Sequence, residues 1–476
     1  MFFKEFNQKK ACKDSELESG TMVHDTMDNK KIYNKEALID YLAQGCKPAT
    51  QWRIGTEHEK FPFYVDGNLP VPYGGKNGIH VLLEGMQSML GWEPVMDAGN
   101  IIGLVEPTGS GAISLEPGGQ FELSGAPLAT IHQTYREVQA HLAQIHEIAT
   151  PLGIRFLGIG ASPEWTLDGI PSMPKSRYKI MKAYMPRVGH HGLDMMYRTA
   201  TIQVNLDFSS EKDMRRKMQI SMKLQPVATA LFASSPFTEG KPNGLLSWRS
   251  EIWRYTDNNR TGILPFVFSP KFGFDDYVEW ALDIPMYFVL RDGHYYDTTD
   301  ITFRQFMNGA LKDRIPDSQP IISDWINHLS TLFPEVRLKR FLEMRGSDGG
   351  PGICALPAYW VGLLYDDEAL TEAETLVKDW TYPEVKEMRD HVPAFALKTP
   401  FRNITLLELA RETLKISRKG LEKRHHLNQK GHDETLFLES LEETIMCGKT
   451  TAEKMLSEYH NIWNASIEPI FLKYAC

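Results

Sequence analysis

Cysteine is scarce in this chain, long apolar runs are missing, and no dense basic tract occurs. Each shortage removes a class of protein. The five cysteines, Cys12, Cys46, Cys354, Cys447 and Cys476, form no CxxC pair and no zinc spacing. An odd, sparse set fits a reducing compartment, which places the chain in the cytoplasm. No uninterrupted stretch of about 18 apolar residues exists, so no membrane span is expected. The N-terminal MFFKEFNQKKACKDSELESG lacks an apolar signal-peptide core and is too acidic for a typical transit peptide. A net charge of −9 argues against nucleic-acid binding. No phosphate-binding P-loop is present, and the GSG at 109–111 is too short to mean anything. Internal repeats and low-complexity linkers are absent as well. What remains is a chain of 476 residues, long enough for a large core, acting on something small.

The pattern along the chain is mixed. Residues 1–33 are polar and aperiodic and read as a flexible arm; 34–476 read as one large domain with a helical C-terminal portion. KEALIDYLAQ (35–44), IHVLLEGMQSMLGW (79–92), IHQTYREVQAHLAQIHEIAT (131–150) and MRRKMQISMKLQPVATALFASSP, ending near 233, read as helices. WRIGTEHEKFPF (52–63), the segment 100–124, IRFLGIGAS and ATIQVNLDFS (200–209) read as strands. Gly-containing turns between the strands of 100–124 favour an antiparallel meander. Residues 236–310, rich in Gly, Pro and aromatics, read as long ordered loops around a site. The fold class is α+β, with several antiparallel strands packed against helices.

Acidic pairs on these strands carry the chemistry. Strand alternation sends Glu57 and Glu59 to one face, where two carboxylates demand a cation. Glu116 and Glu122 flank a PGG turn, so a hairpin brings both toward one point. Any one of these acids alone is more often a residue on a solvated strand edge. Two pairs amid apolar residues favour a shared cavity. An all-oxygen set without His or Cys suits Mg²⁺, with Mn²⁺ as the alternative, rather than zinc. RTATIQVNLDFS places Gln203, Asn205 and Asp207 opposite Ile202, Val204 and Leu206. Such an amide face suits a small zwitterion. Arg249, Arg254 and Arg260 sit in a tryptophan-rich stretch, and Glu343 and Arg345 alternate before a Gly-rich turn. Arginines aimed into an acid-rich cavity bind phosphate or carboxylate bidentately. His80, His132 and His328 receive no role, and His58 is expected to pack behind its strand.

GTEHEKF, LEPGGQFELSG, RTATIQVNLDF, WRSEIW with DNNRTG, and LFPEVRLKRFLEMRGSDGGP together resemble glutamate–cysteine ligase, in the group shared by plants and many proteobacteria. The likeness runs from about residue 35 to the end. It implies a glutamine-synthetase-like fold, whose curved, mostly antiparallel sheet forms a funnel. It implies ATP-dependent ligation of the glutamate γ-carboxylate to the cysteine amine through a γ-glutamyl phosphate. The alternative is a related ATP-dependent carboxylate–amine ligase with a different amine acceptor. A non-catalytic binder would not need every acid and arginine. By resemblance, Glu57, Glu59, Glu116, Glu122 and Glu343 hold metal, and Arg345 serves the phosphoryl group. Arg198 and Arg249 contact glutamate or phosphate, Gln203 and Asn205 line the pocket, and Arg260 also contacts substrate. Partners are then glutamate, cysteine and ATP, with the chain a monomer or homodimer. Plant members carry a redox-sensitive disulfide arrangement, to which no pair among the five cysteines is assigned. The segment GGPGICALPAYW lacks the bulky or basic residues expected after GGP.

Overall fold

The computed structural model describes residues 28–476. Most of the expected N-terminal arm, residues 1–27 including Cys12, lies outside the described residues. Its last part is not loose. Ile32 is buried and donates its N–H to Pro320, and the backbone carbonyls of Asp28 and Lys30 accept from Ser323 and Ile322.

A nine-stranded sheet organises the described residues. Its strands are β1 (Ile54–Tyr64), β2 (Glu93–Asp97), β3 (Asn100–Val105), β4 (Ala112–Leu115), β5 (Phe121–Ser124), β6 (Ile154–Leu157), β7 (Ile202–Leu206), β8 (Val336–Leu338) and β9 (Leu342–Met344). The order is β8-β9-β7-β1-β5-β4-β3-β2, with every pairing antiparallel. β1 is central. Its first half pairs with β5 and β7, and its second half pairs with β6. The fold class is therefore the α+β antiparallel arrangement the sequence indicated.

The helices that bear on the sheet are α1 (Glu36–Ala43), α2 (Ile79–Leu90), α3 (Ile131–Ala149), α4 (Ser176–Val188), α5 (Gly192–Arg198), α6 (Glu211–Leu231) and α7 (Trp248–Arg254). Local chemistry sets their starts. Thr130 and Gln133 form a capping box on α3, and Ser210 caps α6 by accepting from Asp213 N–H. The Glu116–Gln120 turn joins β4 to β5, with Gly119 at φ +85°. A side chain there would meet the left-handed penalty, which is why this turn needs glycine.

Behind the sheet, the helix Ala355–Leu364 is buried along its whole length. It packs between β1 and β7 on one side and the helix Leu406–Arg424 on the other. The two helices approach closely at glycines: a Cβ on Gly420 would lie 1.9 Å from the Gly362 carbonyl oxygen. This layer, with α3, buries the back face of β1, β5 and β7, so the opposite face is left for polar groups.

Two expectations change here. Residues 236–310 are not mainly loop. They hold α7, the helices Phe274–Leu282 and Phe303–Met307, and a hairpin of Phe288–Arg291 with His294–Asp297. Helices of one or two turns are too short to show a convincing 3.6-residue period. The strand at IRFLGIGAS ends at Leu157, and β7 covers only 202–206 of the expected 200–209. The residues beyond those ends contribute isolated bridges to other segments.

Candidate active site

Register explains how the acids gather. Glu59 of β1 pairs with Glu122 of β5, and Glu122 pairs with Ser114 of β4. Glu57 pairs with Ser124 on one side and Gln203 of β7 on the other. Asn205 pairs with Glu343 of β9, and Glu343 with Arg337 of β8. Residues directly opposite in an antiparallel pair share a face. One sheet face thus carries Glu57, Glu59, Glu122, Gln203, Asn205, Glu343 and, by alternation, Arg345. The other face of β1 carries His58 and Lys60. They are buried, with the Lys60 Nζ 2.5 Å from His58 Nδ1 and the His141 ring edge-on to His58 at 5.6 Å. His58 therefore packs behind the strand, as expected. His80, His132 and His328 each bond a backbone carbonyl.

The carboxylates divide into two electrostatic types. Burial pushes Glu57 up to about 7, and the charges of Glu343 and Glu122 add to it. Its Oε1 accepts from Asn205 Nδ2 at 2.8 Å. Its Oε2 and the Asn205 Oδ1 are buried with no hydrogen-bond partner among the described residues. Burial also holds Glu59 well above the ordinary range, with Glu116 and Glu122 reinforcing it. Glu59 Oε2 accepts from Thr201 N–H at 3.0 Å. Glu122 is raised by burial and then by Glu116, against donation from the Ser124 (2.6 Å) and Ser114 (3.2 Å) hydroxyls. These acids lack enough positive charge to be comfortable as carboxylates.

Glu343 is the opposite case. Burial would raise it, yet Arg337, Lys339 and Arg345 hold it well below the ordinary range. Its oxygens lie 2.7 Å from Arg337 Nη2, 3.1 Å from Lys339 Nζ and 2.5 Å from Arg345 Nη1. Both oxygens are occupied by cations of the chain. Sequence reasoning expected Glu343 to hold metal; here its oxygens face Arg337, Lys339 and Arg345, and Arg345 Nη1 also reaches Gln203 Oε1 at 2.5 Å.

Glu116 follows β4 at the hairpin turn, half-buried, and its charge acts on Glu59 and Glu122. It acts equally on Lys175, Arg177 and Tyr178 at the start of α4. Lys175 Nζ and the Tyr178 hydroxyl both donate to the Leu115 carbonyl at 2.7 Å. Asp97 anchors this helix start by accepting from Ser176 N and Oγ, each at 2.6 Å. Sequence reasoning missed this basic group. KSRY was visible as a basic stretch, but only the chain path brings it to the hairpin.

Arg249, on α7, donates through Nη2 to the Arg345 carbonyl at 3.1 Å, and its buried Nε has no partner among the described residues. A small cavity beside it is lined by Arg249, Trp253, Glu335, Arg345 and Arg389. Arg389, another missed residue, pairs with Glu335 and keeps its Nη1 unpartnered among the described residues. Arg198 is not brought to the acids. It pairs with Glu239 at 2.8 Å and with Asp194 at 3.5 Å, against the Trp248 ring. Arg260 is a staple: fully buried, paired with Asp257 at 2.7 Å, and donating to the Thr331 and Pro285 carbonyls. Its hydrogen bonds run to Asp257 and to two backbone carbonyls inside the core, not to the acid-bearing face.

Can this face take a divalent cation? Among the described residues, no three His, Cys, Asp or Glu side chains are gathered to hold an ion between them. Mg²⁺ usually keeps water and binds one or two carboxylates together with substrate phosphates, not a cage of protein ligands. A row of raised carboxylates with an orphaned oxygen on Glu57 fits that mode.

The sequence pattern of Glutamate-cysteine ligase family 2 (GCS2) matches residues 53–472. The chloroplastic glutamate–cysteine ligase of Nicotiana tabacum is 55% identical over 439 residues, 92% of this chain and 82% of that protein. That of Arabidopsis thaliana is also 55% identical over 92% of this chain and 82% of its own. The chloroplastic glutamate–cysteine ligase A of Oryza sativa subsp. indica is 54% identical over 92% and 87%. A solved glutamate–cysteine ligase of Francisella tularensis, in complex with AMP, shares the fold: TM-score 0.52 at 13% identity, over 86% of this chain and 85% of that one. The expected cytoplasmic location is corrected by the plant names, all of which say chloroplastic. Sparse cysteine reports a reducing compartment and does not say which one. Among the described residues no helix is long and apolar enough to cross a membrane.

Proposed function

This chain belongs to glutamate–cysteine ligase family 2, and on that premise we propose how its sheet face carries out the reaction. The protein is an enzyme that joins glutamate to cysteine as γ-glutamylcysteine, the first step of glutathione biosynthesis. The three plant relatives described above are named for cysteine, so a different amine acceptor is not carried further.

The observation that supports the site is the register of β1 with β5 and β7, which puts raised carboxylates and Arg345 on one face. We assign Glu57, Glu59 and Glu122, with Glu116 at the rim, to holding Mg²⁺ that accompanies ATP. Bound there, Mg²⁺ neutralises phosphate charge as it builds. Glu343 serves instead as the anchor of Arg345. The γ-carboxylate oxygen of glutamate attacks the terminal phosphorus of ATP, and ADP leaves. The cysteine nitrogen then attacks the acyl carbon, phosphate leaves, and the nitrogen gives up a proton. Arg345 faces the phosphoryl group, where its fixed guanidinium meets charge spread over three oxygens. Arg249 takes a carboxylate of the bound glutamate through donors such as its unpartnered Nε. Gln203 and Asn205 line the same face.

The test is incubation with ATP, MgCl₂, glutamate and a panel of amines, following phosphate release and product mass. Cysteine should give γ-glutamylcysteine with one phosphate per turnover. Phosphate release indifferent to cysteine but strong with another amine would overturn the assignment. Mn²⁺ should substitute for Mg²⁺, and chelation should stop turnover while leaving the fold intact.

A further inference from the structure

The segment Arg345-Gly346-Ser347-Asp348 contains an acid to which the reaction above gives no task. Asp348 is fully buried. Its Oδ2 accepts from Ser234 N–H at 2.9 Å and Ser235 Oγ at 2.7 Å, and its Oδ1 accepts from Ser247 Oγ at 2.7 Å. The seat is tight: a Cβ on Gly160 would fall 2.4 Å from the Asp348 carboxyl carbon.

Its partners lead to the site. Ser247 caps α7, the helix that carries Arg249. Ser235 Oγ also accepts the backbone N–H of Arg249 at 3.2 Å. Asp348 bridges Thr201, whose Oγ1 donates to the Ser347 carbonyl at 2.7 Å and whose N–H donates to Glu59. Three residues before Asp348 comes Arg345, whose carbonyl accepts from Arg249 Nη2. One buried carboxylate therefore stands where the segments bearing Arg249, Arg345 and Glu59 cross. It is also the leading countercharge of Arg249: burial pulls that guanidinium down, and Asp348 heads the charges opposing it.

We propose that Asp348 is a positioning residue that fixes Arg249 against Arg345 by tying the N-terminus of α7 to the loop after β9. The inference rests on the reading that Arg249 contacts glutamate. It predicts a selective defect. Loosening α7 displaces one substrate contact and leaves the sheet carboxylates in place.

The experiment compares Asp348→Asn, Arg249→Ala and the double variant, each as the full chain, by steady-state kinetics and thermal melting. Asp348→Asn should raise KM for glutamate about tenfold, with KM for cysteine and ATP within about twofold. Its Tm should fall, since a buried countercharge is lost, but Asn keeps the shape and one acceptor, so the chain should still fold. In the Arg249→Ala background the same change should add less than about twofold, since residues acting through one another are not additive. Unchanged glutamate KM in Asp348→Asn, or an equal loss in both backgrounds, overturns the proposal. Normal kinetics in Arg249→Ala instead removes Arg249 from the glutamate site, and the inference with it. Should Asp348→Asn fail to fold, Ser247→Ala removes one of the two hydroxyls that join the carboxylate to α7, along with the helix cap, and must show the same coupling in the Arg249→Ala background.

Discussion

Glu59 of β1 and Glu122 of β5 stand directly opposite each other, two carboxylates on one sheet face. Like charges in that position oppose folding. Replacing one of them should therefore separate stability from activity. In metal-free buffer, Glu122→Gln should raise Tm by about 1–2 °C, while turnover falls at least about tenfold. Scanning fluorimetry with and without MgCl₂ checks this. A lower Tm with normal turnover would make Glu122 a structural acid.

Arg345 is held by Glu343 and Gln203 with its guanidinium already aimed. Preorganised donors of this kind are worth about 10²–10³ in rate. Arg345→Ala should lower kcat by about 10²-fold or more, with a smaller change in KM for cysteine. An unchanged kcat would take Arg345 out of the phosphoryl site.

Arg260 should behave in the opposite way. Removing one member of a buried ion pair costs about 3–5 kcal/mol. Arg260→Ala should lose stability on that scale in urea unfolding, with the KM for glutamate of the remaining folded enzyme within about twofold. A large KM defect without a stability loss would restore it to the substrate pocket.

Glu137 on α3 gives a pH signature away from the chemistry. Burial pushes it up to about 7, with the Ala126 N–H as its one countering partner. The folded protein then holds its proton more tightly than the unfolded chain, whose value is near 4.5. Charging it in the fold costs stability, fully so above about pH 7. That cost shrinks as pH falls and vanishes below about 4.5. Glu137→Gln should stabilise the protein by up to about 3 kcal/mol at pH 8 and leave it unchanged near pH 4.5. A pH-independent difference would rule out titration as its origin.

The acids were legible early because strand alternation is local. Glu57 and Glu59 share a face whatever β1 pairs with, and His58 must take the other. Glu116 and Glu122 were legible because the PGG turn fixes their hairpin. The cationic surroundings of Glu343 were not legible, for an equally physical reason. Its own strand shows it facing Arg345, but Arg337 and Lys339 reach it only across the β8–β9 turn, whose length sets the register. Arg198 and Arg260 look alike in sequence to Arg249. A guanidinium's role depends on which acceptors meet it, and those come from distant segments: Glu239 for one, Asp257 and two carbonyls for the other.

By itself, the sequence determined an α+β enzyme with paired carboxylates on rigid strands, and its motifs carried the family. Those properties follow from period-two alternation, turn chemistry and residue order, all of which act over a few positions. Only the tertiary structure decided which acids stay short of positive charge and which are saturated. It alone placed Lys175 and Arg177 against the hairpin, and Asp348 where three segments cross. These outcomes depend on contacts between residues up to some hundred or more positions apart, such as Asp348 with Ser234 and Ser247. Burial and countercharge are properties of the packed chain, and no local pattern encodes them.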